Sequence, residues 1–177
     1  MRLRRSAMTL LEVTIVMLIL ALLASVAVPR FSDTMRATQV RAAAIQVAAH
    51  IDYVRRIAIN QSHLTVFLCN EERDQYGSPN VDFPNRIGTR LLVNVQETFD
   101  PSLQLVADFD GTDGVWFDIE GVPRVGAALM QDGSVTITAP GSMTYHVMVA
   151  AGTGKTTIMS QREWLVAQSD QAQGGGS

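Results

Sequence analysis

Met8–Val28, MTLLEVTIVMLILALLASVAV, is the stretch that decides how the rest of the chain is read. Seventeen of its 21 residues are apolar, and its only charge is Glu12. At about 1.5 Å of rise per residue, a helix of this length reaches roughly 31 Å, enough to cross the hydrocarbon core of a bilayer. Arg2, Arg4 and Arg5 stand just before it. Basic residues flanking a span stay in the cytoplasm, so the pattern predicts single-pass insertion with everything after the helix on the outer side. A cleaved secretory signal is the rival reading, since Ala24, Ser25 and Ala27 put small residues near the end of the run.

Two features weigh against that rival. A carboxylate inside an apolar span costs about 2.5 to 3.5 kcal/mol at the helix centre, so Glu12 calls for a cationic partner. The helix signal also continues beyond Pro29. Val40, Ala44, Val47, Ile51, Val54 and Ala58 recur at steps of four and three, with Arg41, Asp52, Arg55 and Arg56 between them. That is the spacing of an amphipathic helix, and a lone proline in such a run kinks it rather than ends it. Residues 8–28 are therefore expected as the membrane-embedded half of one long helix and 29–60 as its amphipathic half.

The net charge of −3 conceals a division. Residues 1–60 carry eight arginines against Glu12, Asp33 and Asp52, a balance of +5, while residues 61–177 carry −8. A basic end before an apolar helix and an acidic remainder after it fit the two sides of a membrane. From His63 the sequence changes to short apolar runs bounded by Gly, Pro and Asp. Leu64–Cys69, Arg90–Val95, Val115–Ile119, Gly133–Ile137, Tyr145–Val149 and Thr156–Met159 are rich in Val, Ile, Thr and aromatic residues, which predicts strands joined by hairpins and loops. The expected architecture is α+β: a long N-terminal helix packed on an antiparallel β-rich domain over 61–167, followed by a polar, flexible tail over 168–177.

Ala7-Met8-Thr9-Leu10-Leu11-Glu12, behind a short basic leader, resembles the processing site of type IV prepilins and type II secretion pseudopilins. The resemblance implies a pilin-like fold, a leader over 1–7 and cleavage between Ala7 and Met8 by a prepilin peptidase that then N-methylates Met8. Ala7 and Met8 stand where the family usually has Gly and Phe. Glu12 becomes the fifth and Pro29 the twenty-second residue of the mature chain, both at family spacing. Glu12 would then pair with the terminal amino group of a neighbouring subunit in a filament.

Asp52–Asn60 followed by Thr65–Cys69, Trp116-Phe117-Asp118 with Gly121, Pro123 and Gly126, and Gly152-Thr153-Gly154-Lys155 resemble the GspH/FimT branch. What that branch implies is a minor pseudopilin of the type II secretion system, or alternatively a minor pilin of a type IV pilus. Its partners would be sibling subunits, the peptidase, the inner membrane before assembly and secreted cargo. It implies a periplasmic domain, no cofactor and no enzymatic activity. DNA-binding members carry Gly-Arg-x-Arg in the terminal hairpin. Here Gly154-Lys155-Thr156-Thr157 keeps one cation, and an acidic domain opposes phosphate contacts, so nucleic acid is disfavoured as a partner.

Other motifs are weaker. Gly152–Thr156 imitates a phosphate-binding loop, but Val149 stands where its first glycine belongs and no helix pattern follows, so a β-turn is expected. Asp108, Asp110 and Asp113 suggest a calcium loop, yet Thr112, Asp113 and Ile119 occupy positions that an EF-hand reserves for a ligand, a glycine and a glutamate. A solvated acidic turn is the expectation. His50, His63 and His146 share no ligand spacing, and the lone Cys69 ends an apolar strand, where burial is its expected fate.

Overall fold

The computed structural model describes residues 10–141 and 143–174, with backbone alone over 26–32 and 170–174. Helix α1 spans Leu10–Gln61 and includes Pro29. The chain divides near Met35 into two compact units.

In the first unit α1 leaves large apolar side chains exposed on every side, among them Leu10, Leu11, Met17, Leu18, Leu22 and Leu23. Thr14 and Ser25 return their hydroxyls to the carbonyls of Leu11 and Leu22, so two of the few polar groups are satisfied inside the helix itself. Among the described residues no helix is long and apolar enough to cross a membrane. The span expected over 8–28 extends past the described side chains at both ends.

In the second unit α1 buries one stripe completely: Val40, Ala43, Ala44, Val47, Ile51, Val54 and Ala58. These include all six positions of the expected apolar face, and the alanines let the helix backbone approach a sheet closely. Ten strands follow: β1 Thr65–Asn70, β2 Gln75–Phe83, β3 Arg86–Asn94, β4 Gln104–Phe109, β5 Gly114–Phe117, β6 Pro123–Val125, β7 Ala128–Leu129, β8 Gly133–Thr138, β9 Tyr145–Val149 and β10 Thr156–Ser160. A short helix α2, Val95–Thr98, separates β3 from β4. The strands form two sheets, β3-β2-β1-β5-β6-β7 and β10-β9-β8-β4, with every pairing antiparallel. Phe67, Tyr76, Phe109, Phe117, Leu103, Leu105 and Ile137 from the sheets complete the core around the helix stripe. Thr65, itself buried, donates its hydroxyl to the Val54 carbonyl and ties β1 to the helix. Every described residue of this core lies at or beyond Val40, within residues 36–177.

Side chains replace missing backbone partners at two points. In β2 the register with β3 shifts between Ser78 and Asp82, where Pro79 has no N–H to give. There Asn80 donates to the Leu64 carbonyl at 2.8 Å and accepts from the Val66 N–H at 3.2 Å. At the edge of the second sheet, β4 points N–H groups away from β8. Leu105 donates to Asp74 Oδ1 at 2.8 Å and Ala107 to Glu71 Oε1 at 2.9 Å. The turn after β1 thus clasps the edge of the other sheet and shields it from pairing with other chains.

Asp74 also accepts from Gln96 Nε2 at 2.7 Å and has φ +47. An Asp74→Ala substitution should therefore destabilise the domain by about 2 to 4 kcal/mol. It strands the N–H of buried Leu105 and places alanine in a left-handed conformation. Asp74→Asn, which keeps an acceptor and tolerates that φ, should lose less than half as much in urea denaturation of residues 36–177.

The polar end corrects one expectation. Residues 168–177 were to be a flexible tail, whereas α3 runs Gln161–Gly174. Glu163 accepts from both the N–H and the hydroxyl of Ser160, capping the first turn. Trp164 stacks on His146 at 4.5 Å between ring centroids and seats the helix on the second sheet. A tail reading follows from polarity alone, but Gln and Ala propagate a helix well once its start is capped and docked. Residues 175–177 lie outside the description.

Candidate functional site

The proposed processing residues Ala7 and Met8 lie outside the described residues. Glu12 lies on α1, two residues after the first described residue, Leu10. Pro29 lies within the helical backbone of α1, and its side chain is not described. The exposed leucines, isoleucines, valines and methionines around Glu12 form an apolar surface that water solvates poorly.

The second candidate is the turn between β9 and β10. Lys155 is exposed there, and Gly152 and Gly154 adopt φ of +73 and +65. A Cβ on Gly154 would stand 2.7 Å from the Gly121 carbonyl oxygen and 3.0 Å from Arg55 Cδ, so only glycine lets the turn close on α1 and on the β5–β6 turn. Strand β10, not a helix, follows Lys155, as a plain β-turn requires and a phosphate-binding loop does not. The closure has a consequence that spacing in the sequence does not reveal. It brings Lys155 to a recess of about 440 Å³ also lined by Arg55, Arg56 and Asp52 of α1. Arg55 Nε donates to the Gly121 carbonyl and Thr156 donates to Asp52 Oδ2, which fix the walls. Three cations against one carboxylate meet there, where the sequence alone pointed to one cation.

No family model matches the chain, and no curated protein does. Solved structures do. The chain is similar to the type IV minor pilin FimU of Pseudomonas aeruginosa in two crystal forms. In one the identity is 13%, the match covers 70% of this chain and 98% of that one, and the TM-score is 0.49. In the other the identity is 12%, with 70% and 89% covered and a TM-score of 0.47. It is also similar to the minor pseudopilin EpsH from the type 2 secretion system of Vibrio cholerae, at 10% identity, with 69% of this chain and 95% of that one covered and a TM-score of 0.48.

The acidic residues do structural work at a turn. Asp108 Oδ1 accepts from the Gly111 N–H, and the two oxygens of Asp110 accept from the N–H groups of Asp132 and Gln131. The carbonyl of Asp113 takes the Cys69 N–H. Among the described residues no group of three or more His, Cys, Asp or Glu is placed to hold a metal ion. Cys69 is buried, and burial, with Glu71 and Asp113 nearby, pushes its thiol far above the ordinary range, so it is inert as a nucleophile.

His50 faces the core side of β2. Its Nδ1 is 3.0 Å from the Tyr76 hydroxyl, and its ring meets Phe83 edge-on. Burial lowers its pKa below the usual 6.5. The unfolded chain then takes up a proton near pH 6.5 that the folded domain refuses until lower pH. Stability should fall as pH drops through about 6.5 towards the depressed value and level off below it. His50→Gln, which retains a polar partner for Tyr76 but does not titrate, should flatten that part of the profile in urea melts at pH values from about 8 to 5.

Proposed function

We propose that the chain is a minor pseudopilin, a structural subunit that assembles through its apolar N-terminal helix into the periplasmic pseudopilus of a type II secretion system. The observation that carries this reading is the head of α1: a basic leader, a small residue before Met8, Glu12 and Pro29 at pilin spacing, and an apolar surface on all sides. Its amphipathic continuation is packed on antiparallel sheets, which suits a subunit that stacks by its helix and presents a folded domain outward. The subunit is inserted in the inner membrane, cut between Ala7 and Met8, N-methylated on Met8 and extracted into the filament. No step in this role calls for catalysis or a cofactor. Glu12 sets axial register by pairing with a neighbour's terminal amine.

Co-expression with a prepilin peptidase tests the reading. Mass spectrometry should find a chain beginning at methylated Met8, and the processed protein should co-purify with sibling pseudopilins. An uncut chain that binds none of them would overturn it. Co-purification with pilus subunits instead would favour a type IV minor pilin.

One observation favours a further role in nucleic-acid contact, the recess that gathers Arg55, Arg56 and Lys155. Against it stands the −8 carried by residues 61–177. A low-salt mobility shift with residues 36–177 should show no retarded DNA.

A further inference from the structure

The hairpin between β2 and β3 presents an isoleucine to solvent by construction. Phe83 pairs with Arg86 and Asp82 with Arg90, so Ile87, Gly88 and Thr89 loop out with no residue opposite them. Asp82 Oδ2 accepts the Gly88 N–H at 2.8 Å, and Gly88 takes φ +84, which together hold the loop in shape. Ile87 is 99% exposed at its apex, with exposed Arg86 and Arg90 on either side. An ordered apolar knob flanked by cations is poorly matched to water, and nothing in the domain's own packing uses it.

The second sheet carries an apolar cleft with acidic residues. A cleft of about 670 Å³ opens between α3 and the outer face of β8, β9 and β10. Met148, Met159 and Trp164 give it an apolar lining, Asp108, Asp110 and Asp132 lie along its rim, and neither Lys nor Arg lines it. Methionines adapt their shape to an inserted side chain. The three carboxylates are opposite in charge to the two arginines beside Ile87.

We propose that the Ile87 knob of one copy of this chain docks in the cleft under α3 of a second copy. Arg86 and Arg90 then face the aspartate rim. Knob and cleft lie on different sheets, so each contact joins two different surfaces of the chain. This inference concerns the domain over 36–177 and does not depend on how the apolar half of α1 is used.

Disulfide trapping of the full chain in detergent micelles tests it. Ile87 and Ala150 are both exposed, Ala150 lines the cleft, and the native Cys69 is buried. A mixture of I87C and A150C chains should give a cross-linked heterodimer several-fold more abundant than a mixture of A150C with E120C, an exposed position in the β5–β6 turn. Adding Arg86→Glu to the I87C chain should cut the yield about tenfold, because a like charge then meets the rim. Equal yields from I87C and E120C would overturn the proposal, as would indifference to Arg86→Glu. Trapping of A150C chains on a different membrane protein, with none on I87C, would assign the cleft another occupant and overturn it too.

Discussion

Glu12→Ala should reduce incorporation into assembled pseudopili by about a hundredfold and leave the stability of residues 36–177 unchanged. On the proposed reading, Glu12 neutralises the terminal amine of a neighbouring subunit among apolar helices. Removing one partner of such a pair leaves the other charge uncompensated, at a cost of about 3 to 5 kcal/mol. The lower end of that range corresponds to roughly two powers of ten in an equilibrium constant. The described core begins at Val40, in the compact unit that does not contain residue 12. Glu12→Gln keeps an acceptor but loses the charge and should fall between the two. Immunoblots of purified pseudopili against total protein would measure this, and wild-type incorporation of the alanine variant would refute the pairing.

The second large effect is expected at Gly77. It lies in the middle strand of three, opposite Leu68 of β1 and Leu92 of β3. A Cβ there would sit 2.1 Å from the Leu91 carbonyl oxygen and 3.0 Å from Leu92 Cα. Those atoms are backbone of the paired strand, so no rotamer change relieves the overlap and the two strands must part. Gly77→Ala should cost about 3 kcal/mol or more, with loss of the β2–β3 pairing. Gly88 makes the opposite case, having a positive φ but nothing within 4 Å of an added Cβ. Gly88→Ala should cost only about 1 to 2 kcal/mol, the local price of a left-handed alanine. Urea denaturation of residues 36–177 would separate a steric from a conformational demand for glycine. Similar values for the two variants would show that the strands accommodate the Gly77 methyl.

Both effects bear on how much could be read in advance. The stripe from Val40 to Ala58 was legible because a helix repeats every 3.6 residues whatever it packs against. Six strands were legible from runs of β-branched and aromatic residues. Strands β2 and β4, like the short β6 and β7, were not: Gly77 and Pro79 interrupt the first, and Asp108, with Asp110 and Gly111 close behind it, disguises the end of the second as a turn. Each is a strand because of its neighbours. Asn80 repairs the ladder that Pro79 breaks, and Asp74 and Glu71 occupy the N–H groups of the β4 edge. The recess at Lys155 was half legible. Its turn was visible as Gly-Thr-Gly-Lys, but Arg55 and Arg56 read only as the polar side of a helix until the chain folded back about a hundred residues later.

By itself, then, the sequence determined what is local or periodic: a basic stretch before an apolar helix with one carboxylate, its amphipathic continuation and an acidic β-rich remainder. Those properties depend on spacings of one to four residues, which covalent geometry sets. Only the tertiary structure decided the two-sheet order, the Asp74 clasp, the docking of α3 on His146, the cations around Lys155 and the separate placing of the Ile87 knob and its cleft. Each joins or separates residues far apart in the chain. Which of them meet depends on strand register and on which face of a sheet is covered, quantities that exist only once the core has formed.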